Sequence, residues 1–378
     1  MRKPSLIALL TAAVLLLTGC GQLTQVENLA FVILFGVDLT DDDQIEVIAQ
    51  IPKITGSKGG EDSGGSSSSD NLVYAAKGKD FLTALTNLNW AVPRRLDLSQ
   101  IELIVISEKL AHSGQLMEIM DEMMDFNRLY TAARLAICTG GVKEFIQAEK
   151  PVIGSHIANE LDSMFADYVQ DGYVPDVTFA DVYYKTISIY SDPVTIFAEQ
   201  SSPDGSAQAA SLIMPETPEV AGADMEQSNR FLGAAVLHDG IMVGTLDGRE
   251  QLLCKLLSGE QQSFVYAFGE NTLYLTTLGR PKISVDTRAE PAVIRIKLRL
   301  ALVPDNETTQ IDGLDQAIES DVTEIIDVCK RMGAEPFGFA EVAARSFLTI
   351  DEWLDYDWHS QFLNSRIEVA ASIAIENA

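Results

Sequence analysis

The chain has 378 residues, of which 47% are hydrophobic, and carries 27 basic against 55 acidic side chains for a formal net charge of -28. That length supports two or three domains with cores of their own. The acidic balance excludes nucleic acid as a natural partner, because one polyanion repels another.

The chain opens with Arg2 and Lys3 followed by an apolar run from Leu6 to Leu17, the layout of an export signal over residues 1-19. A membrane-spanning helix needs about 20 apolar residues, and this run is shorter. Its end, Leu17-Thr18-Gly19-Cys20, resembles a bacterial lipobox. The small Thr18 and Gly19 fit a peptidase cleft, and the Cys20 thiol is the nucleophile that takes up a diacylglyceryl group. Two acyl chains hold a protein where one binds only marginally. The plainer alternative is an ordinary cleaved signal in which Cys20 is incidental. Cys138, Cys254 and Cys329 each lie among apolar neighbours, the setting of buried structural thiols rather than of a disulfide framework.

Leu29 to Val37 reads as a buried strand and Ile45 to Ile51 as its neighbour, joined through Asp41-Asp42-Asp43. The glycine- and serine-rich stretch 56-70 has too little apolar surface to bury and is expected to be a flexible loop. Helical spacing follows at Phe81, Leu85 and Leu88, then a continuous apolar strand from Ile101 to Ile106 of the kind covered on both faces. Leu116, Ile119, Met120 and Met123 mark a second helix. Ala132 to Cys138 is a further strand, and Val142 to Ala148 a short helix stopped by Pro151. This alternation predicts an α/β layer.

Asp181 to Tyr190 alternates like a half-exposed strand, which Val194 to Ala198 would pair. A Pro-, Gly- and Ser-rich interval from Ser201 to Asn229 is the clearest boundary. Beyond it, Leu232 to Leu237 and Ile241 to Val243 flank Asp239-Gly240 as a hairpin. A helix over Gln251 to Leu257 and strands at Phe264 to Phe268, Leu273 to Leu278 and Val293 to Val303 come next. The clearest helix carries Leu314, Ile318, Val322, Ile325, Cys329 and Met332 on one stripe, with Asp312 as its expected cap. A helix around Ala340 to Phe347 and a strand from Ile367 to Ile375 complete an α+β unit. The expected organisation is a signal peptide over 1-19, an N-terminal region over 20-205 that splits again near residue 150, a linker over 206-230, and a C-terminal α+β domain over 231-378. Each domain is a mixed β-sheet with flanking helices.

No P-loop, dinucleotide-binding glycine fingerprint, His-Glu-x-x-His or Cys-x-x-Cys occurs. His112, His156, His238 and His359 are scattered, so a zinc site would have to assemble in space. The pairs Asp171 with Asp176 and Asp355 with Asp357 have two readings, acid-base chemistry or solvated surface. Trp353 and Trp358, with acids between them, read as a recognition surface or a packed corner. Arg94-Arg95, isolated in so acidic a chain, is either an interface feature or a structural pair bonding carbonyls and carboxylates.

Several blocks carry a family likeness: Leu29-Ala30-Phe31-Val32 into Gly36-Val37-Asp38, Gln50-Ile51-Pro52, and Pro93-Arg94-Arg95-Leu96 into Ile101-Glu102-Leu103-Ile104-Val105-Ile106-Ser107-Glu108. Later come Gly233-Ala234-Ala235-Val236, Gly244 through Glu250, and Pro336-Phe337-Gly338-Phe339. In this order the chain resembles the Ger(x)C lipoproteins, the C subunits of the nutrient receptors of spore-forming bacteria. It departs from them after the lipobox, at Gly21-Gln22-Leu23-Thr24, and at Glu335, where an Asp is common. The resemblance implies three mixed α/β domains and a non-enzymatic subunit without a cofactor. It also implies lipid-anchoring at Cys20 on the outer face of the spore inner membrane, beside integral-membrane A-type and B-type receptor subunits. Two other classes compete: a solute-binding lipoprotein serving a transporter, and a secreted enzyme.

Overall fold

The computed structural model describes residues 26-53, 71-126, 128-149, 157-199, 229-269, 271-302 and 312-375. The signal and lipobox, the loop over 56-70, the expected split near 150 and nearly all of the 206-230 linker lie outside them.

The N-terminal half runs β1 (Leu29–Phe31), β2 (Leu34–Leu39), β3 (Ile45–Ile51), β4 (Leu72–Gly78), α1 (Phe81–Ala91), β5 (Arg95–Asp97) and β6 (Leu103–Ser107). It continues with α2 (Glu108–His112), α3 (Leu116–Asp125), β7 (Arg134–Cys138), α4 (Val142–Ala148), α5 (Ile157–Asp171), α6 (Phe179–Thr186) and β8 (Val194–Glu199). β9 (Arg230–His238) and β10 (Ile241–Leu246) complete an eight-stranded sheet in the order β10-β9-β8-β7-β6-β2-β3-β4. Its centre is parallel, β2 on β6, β6 on β7 and β7 on β8, and its flanks are antiparallel.

Strand periodicity of two sorts the apolar residues of this sheet onto two faces. Ile104, Ile106, Phe35 and Val37 join the core beneath α1, α3 and α6, and Leu103, Val105 and Leu34 join the core beneath α4 and α5. A strand buried on both faces must read as continuous hydrophobicity, which is why Leu103 to Ser107 shows no alternation. Gly36 is bare because α4 presses on β2 there: a Cβ would lie 2.4 Å from Val142 Cγ1. Gln50 then closes the end of α4, its amide donating to the carbonyls of Ile146 and Glu149, both at 3.0 Å.

The C-terminal half comprises α7 (Gly248–Ser258), β11 (Ser263–Phe268), β12 (Asn271–Thr277), β13 (Lys282–Asp286), β14 (Val293–Leu302), α8 (Leu314–Met332), α9 (Phe339–Ala344), α10 (Ile350–Asp355), α11 (Trp358–Asn364) and β15 (Arg366–Ile375). β14 is the hub of its five-stranded sheet. β12 and β13 pair antiparallel with successive parts of it, and β15 lies parallel to it over its whole length. The stripe of α8 packs on this sheet, where Ile318, Val322, Ile325 and Cys329 are buried with Leu298, Leu300 and Phe362. α7 starts in a capping box: Asp247 accepts the Glu250 N–H and Glu250 accepts the Asp247 N–H, each at 2.8 Å. Between them in sequence, Arg249 reaches α8 through an ion pair with Asp321.

Four expectations change. Asp181 to Tyr190 is not a strand; Thr178 and Asp181 form a capping box that starts α6, and Phe179 and Val182 turn inward one helical turn apart. The segment from Leu29 breaks into β1 and β2 because they pair with different partners, β5 for the first and β6 with β3 for the second. α8 is entered through Gly313 in the left-handed region with no side-chain cap, so Asp312 does not serve. The hairpin β9-β10, expected at the head of the C-terminal region, is hydrogen-bonded to β8 and ends the N-terminal sheet.

Candidate functional site

Among the described residues no group of three His, Cys, Asp or Glu side chains can hold a metal ion, and no helix is long and apolar enough to cross a membrane. Asp357 is a helix cap, accepting the Ser360 N–H at 3.4 Å. Trp353 and Trp358 are buried, 4% and 8% exposed, and stack at 5.9 Å between centroids. They form a packed corner, and the Trp353 indole N–H reaches the Ile189 carbonyl at 3.3 Å.

That corner borders a cleft of about 210 Å³ where the two halves meet, lined among others by Tyr190, Asp192, His238, Glu335, Trp353 and His359. Asp192, just ahead of β8, is its hinge pin. One carboxylate oxygen bonds His238 Nδ1 at 2.9 Å and the other accepts the Glu335 N–H at 2.7 Å. His238 stacks on His359 of the other half at 4.5 Å. The hydrogen bond to Asp192 leads the causes that raise the His238 pKa. Glu335 is buried, and its carboxyl accepts the N–H groups of Phe337 at 2.9 Å, Phe339 at 3.0 Å and Ala340 at 2.9 Å, closing the start of α9. Burial pushes that carboxyl up to about 8 against the pull of these bonds. A second tie between the halves runs from Lys255 of α7 to the Val169 carbonyl of α5 at 2.6 Å and from the Gln261 amide to the Gln170 carbonyl at 2.9 Å.

The sequence gives no signal for Asp192 or for its bridging of His238 and Glu335. Glu335 was visible only as a departure ahead of Phe337-Gly338-Phe339, and residues 143 positions apart give no periodic signal.

Arg94 and Arg95 lie at the opposite kind of place. Arg94 is exposed in the bend after α1, and Arg95 opens β5, also exposed, paired with Leu29 at the start of β1. Neither side chain has a hydrogen bond or ion pair among the described residues, so the pair does not bond carbonyls or carboxylates there. Cys20, Leu17, Thr18 and Gly19 lie outside the described residues.

A family model described as the spore germination protein N-terminal domain matches residues 23-199, and one described as spore germination B3/GerAC like, C-terminal, matches residues 232-378. The chain belongs to the Ger(x)C family. It is 22% identical to spore germination protein KC of Bacillus subtilis strain 168, over 96% of this chain and 92% of that one. It is 20% identical to the putative spore germination protein YfkR of the same organism, over 96% and 93%. In fold it is similar to the crystal structure of the GerBC protein, with a TM-score of 0.50 and 14% identity, covering 91% of this chain and 97% of that one. Within this Ger(x)C chain the blocks that carry the resemblance have physical reasons. Gly36 admits α4, Gln50 closes it, Asp247 and Glu250 cap α7, and Gly338 takes a left-handed turn that lets the Glu335 carboxyl reach three N–H groups.

Proposed function

We propose that this Ger(x)C chain is the lipid-anchored C subunit of a germinant receptor complex, without catalytic activity of its own, held at Cys20 on the outer face of the spore inner membrane beside A-type and B-type membrane subunits. The observation that carries the reading is the order of the two family regions behind the Leu17-Thr18-Gly19-Cys20 segment. An acidic body is repelled by anionic headgroups, so a covalent lipid is what would keep it there. Anchoring raises its concentration beside membrane partners without new contacts. Along the chain, the reading divides the mature protein into regions 20-205 and 231-378, with β9 and β10 returning in space to the first sheet.

The test is Cys20→Ala combined with detergent pull-down from spore membranes. The unaltered protein stays with membranes through a high-salt wash and recovers two multispan subunits; the variant is released by that wash or stays unprocessed, and recovers neither. Unchanged partitioning of the variant, or recovery of an ATPase-coupled permease, refutes the proposal.

A further inference from the structure

The anchored chain enters the fold at one edge. β1 begins at Leu29 and pairs in parallel with β5, so Arg95 stands opposite Leu29. At about 3.5 Å per residue, the stretch from Cys20 holds Leu29 within about 30 Å of the anchor.

The groove beside Leu29, about 400 Å³, includes Arg95, Arg128 and Tyr130. Arg128 is exposed and Tyr130 is 47% exposed, its N–H bonded to the Leu98 carbonyl at 3.0 Å directly after β5. Trp90, in the last turn of α1, is 80% exposed. That turn is fixed against β5, because Asn89 Oδ1 accepts the Leu96 N–H at 3.1 Å. Three exposed arginines, an exposed tryptophan and a half-exposed tyrosine therefore gather at the edge where the tethered segment enters. Acids close by in sequence are exposed Glu27 and Asp125 and the partly buried Asp97, which accepts the Ser99 N–H at 3.0 Å.

We propose that this edge, Trp90, Arg94, Arg95, Arg128 and Tyr130, is the membrane-facing surface and binds the phosphates of anionic phospholipid headgroups. The proposal rests on the anchored reading above. Guanidinium groups fork onto phosphate oxygens and are weakly hydrated, and Trp and Tyr settle at headgroup depth. In a chain of net charge -28, most of the surface is repelled by anionic headgroups; the exposed Lys282 and Lys297 on paired strands of the C-terminal sheet are a second cationic face, and the anchor is what favours the edge at Leu29 over it. Anchor and patch together decide which face approaches, and hold the remaining domains away from the membrane.

The test uses the chain from residue 21, which keeps the whole described fold and lacks the anchor, so it reads the patch alone. It is mixed with vesicles of phosphatidylcholine with phosphatidylglycerol, and with phosphatidylcholine alone. Trp353 and Trp358 are buried, so a blue shift of tryptophan emission reports Trp90 entering the interface. The expected result is salt-sensitive binding to the anionic vesicles only, with a blue shift that Trp90→Phe removes. Each arginine near an anionic surface contributes about fivefold, so R94Q/R95Q/R128Q lowers vesicle affinity roughly a hundredfold. Equal binding of the triple variant, or no preference for anionic vesicles, overturns the proposal. So does a triple variant that binds vesicles normally but loses its membrane-protein partners, which would assign the edge to a protein. An unmodified Cys20 with intact vesicle binding refutes the anchor and leaves the patch standing.

Discussion

Asp192 and Glu335 hold each other twice: the Asp192 N–H donates to the Glu335 carbonyl at 3.2 Å while the Asp192 carboxylate accepts the Glu335 N–H at 2.7 Å. One residue leads into the eight-stranded sheet and the other starts the turn before α9, so this reciprocal pair joins the two halves. Asp192→Ala removes the bonds to Glu335 N–H and to His238. Hydrogen bonds to a charged group contribute about 1.5–3 kcal/mol each, and we expect a total loss of about 3 kcal/mol by urea unfolding. A double-mutant cycle with His238→Ala should show coupling between the two sites; additive losses would mean that the 2.9 Å contact does not hold in solution.

The same cluster sets a pH dependence. Asp192 raises the His238 pKa above the ordinary 6.5, so its stabilisation is fully present below about 6.5 and is lost as pH rises through the higher folded value. Glu335 acts in the same sense. Its unfolded carboxyl releases its proton near 4.5 and the buried one near 8, so the folded state carries the extra proton between these values and stability falls as pH rises across them. The urea midpoint should therefore decline from about pH 6 to pH 8. Glu335→Gln, which cannot ionise, should flatten that slope even though it loses one N–H acceptor bond. A slope unchanged in this variant would remove Glu335 from the account.

Burial makes a separate prediction for the thiols. Cys138, Cys254 and Cys329 are all buried and unpaired by disulfides, and burial pushes each thiol upward, that of Cys254 to about 12. The thiolate is the reactive form, so the folded chain lacking Cys20 should show no reaction with Ellman's reagent at pH 8. Three thiols should appear in denaturant. One fast-reacting thiol in the folded protein would place a cysteine outside the cores described above.

Much of the fold was legible because burial imposes a period. The two-face burial of Leu103 to Ser107, the stripe of α8 and the Asp239-Gly240 hairpin all announce themselves locally. Failures came where two local codes compete. Asp181 to Tyr190 alternates as a strand would, but the Thr178 cap and the inward Phe179 and Val182 decide for a helix. α5 has Ile157, Leu161 and Phe165 at helical spacing, a signal that the nearby helix breakers Pro151 and Gly154 obscure. The cleft between the halves has no local code at all, since Asp192 and His238 earn their place only when β8 and β9 are aligned with α9. The pair Arg94-Arg95 was the reverse case. Its isolation in an acidic chain was visible in the residues alone, and only its neighbours Trp90, Arg128 and Tyr130 needed the fold.

Two glycines, Gly36 and Gly233, separate side-chain crowding from backbone crowding. At Gly36 a Cβ would meet Val142 Cγ1 at 2.4 Å and Ile146 Cδ1 at 2.8 Å, tips of side chains that can shift if α4 moves slightly. Gly36→Ala should cost about 1–3 kcal/mol, the usual range for overpacking a core. At Gly233 the φ angle is +110°, outside what a side chain tolerates, and a Cβ would lie 2.2 Å from the Leu246 carbonyl oxygen of the paired strand. That oxygen cannot move without breaking the β9-β10 ladder, so strain and overpacking add, and Gly233→Ala should cost more than Gly36→Ala, on the order of 4 kcal/mol. Gly279→Ala, with φ +96° but nothing within 4 Å, isolates the backbone contribution. Urea midpoints should rank the variants with Gly233→Ala least stable. If Gly233→Ala is no worse than Gly279→Ala, the close approach of β10 to β9 is not what excludes a side chain there.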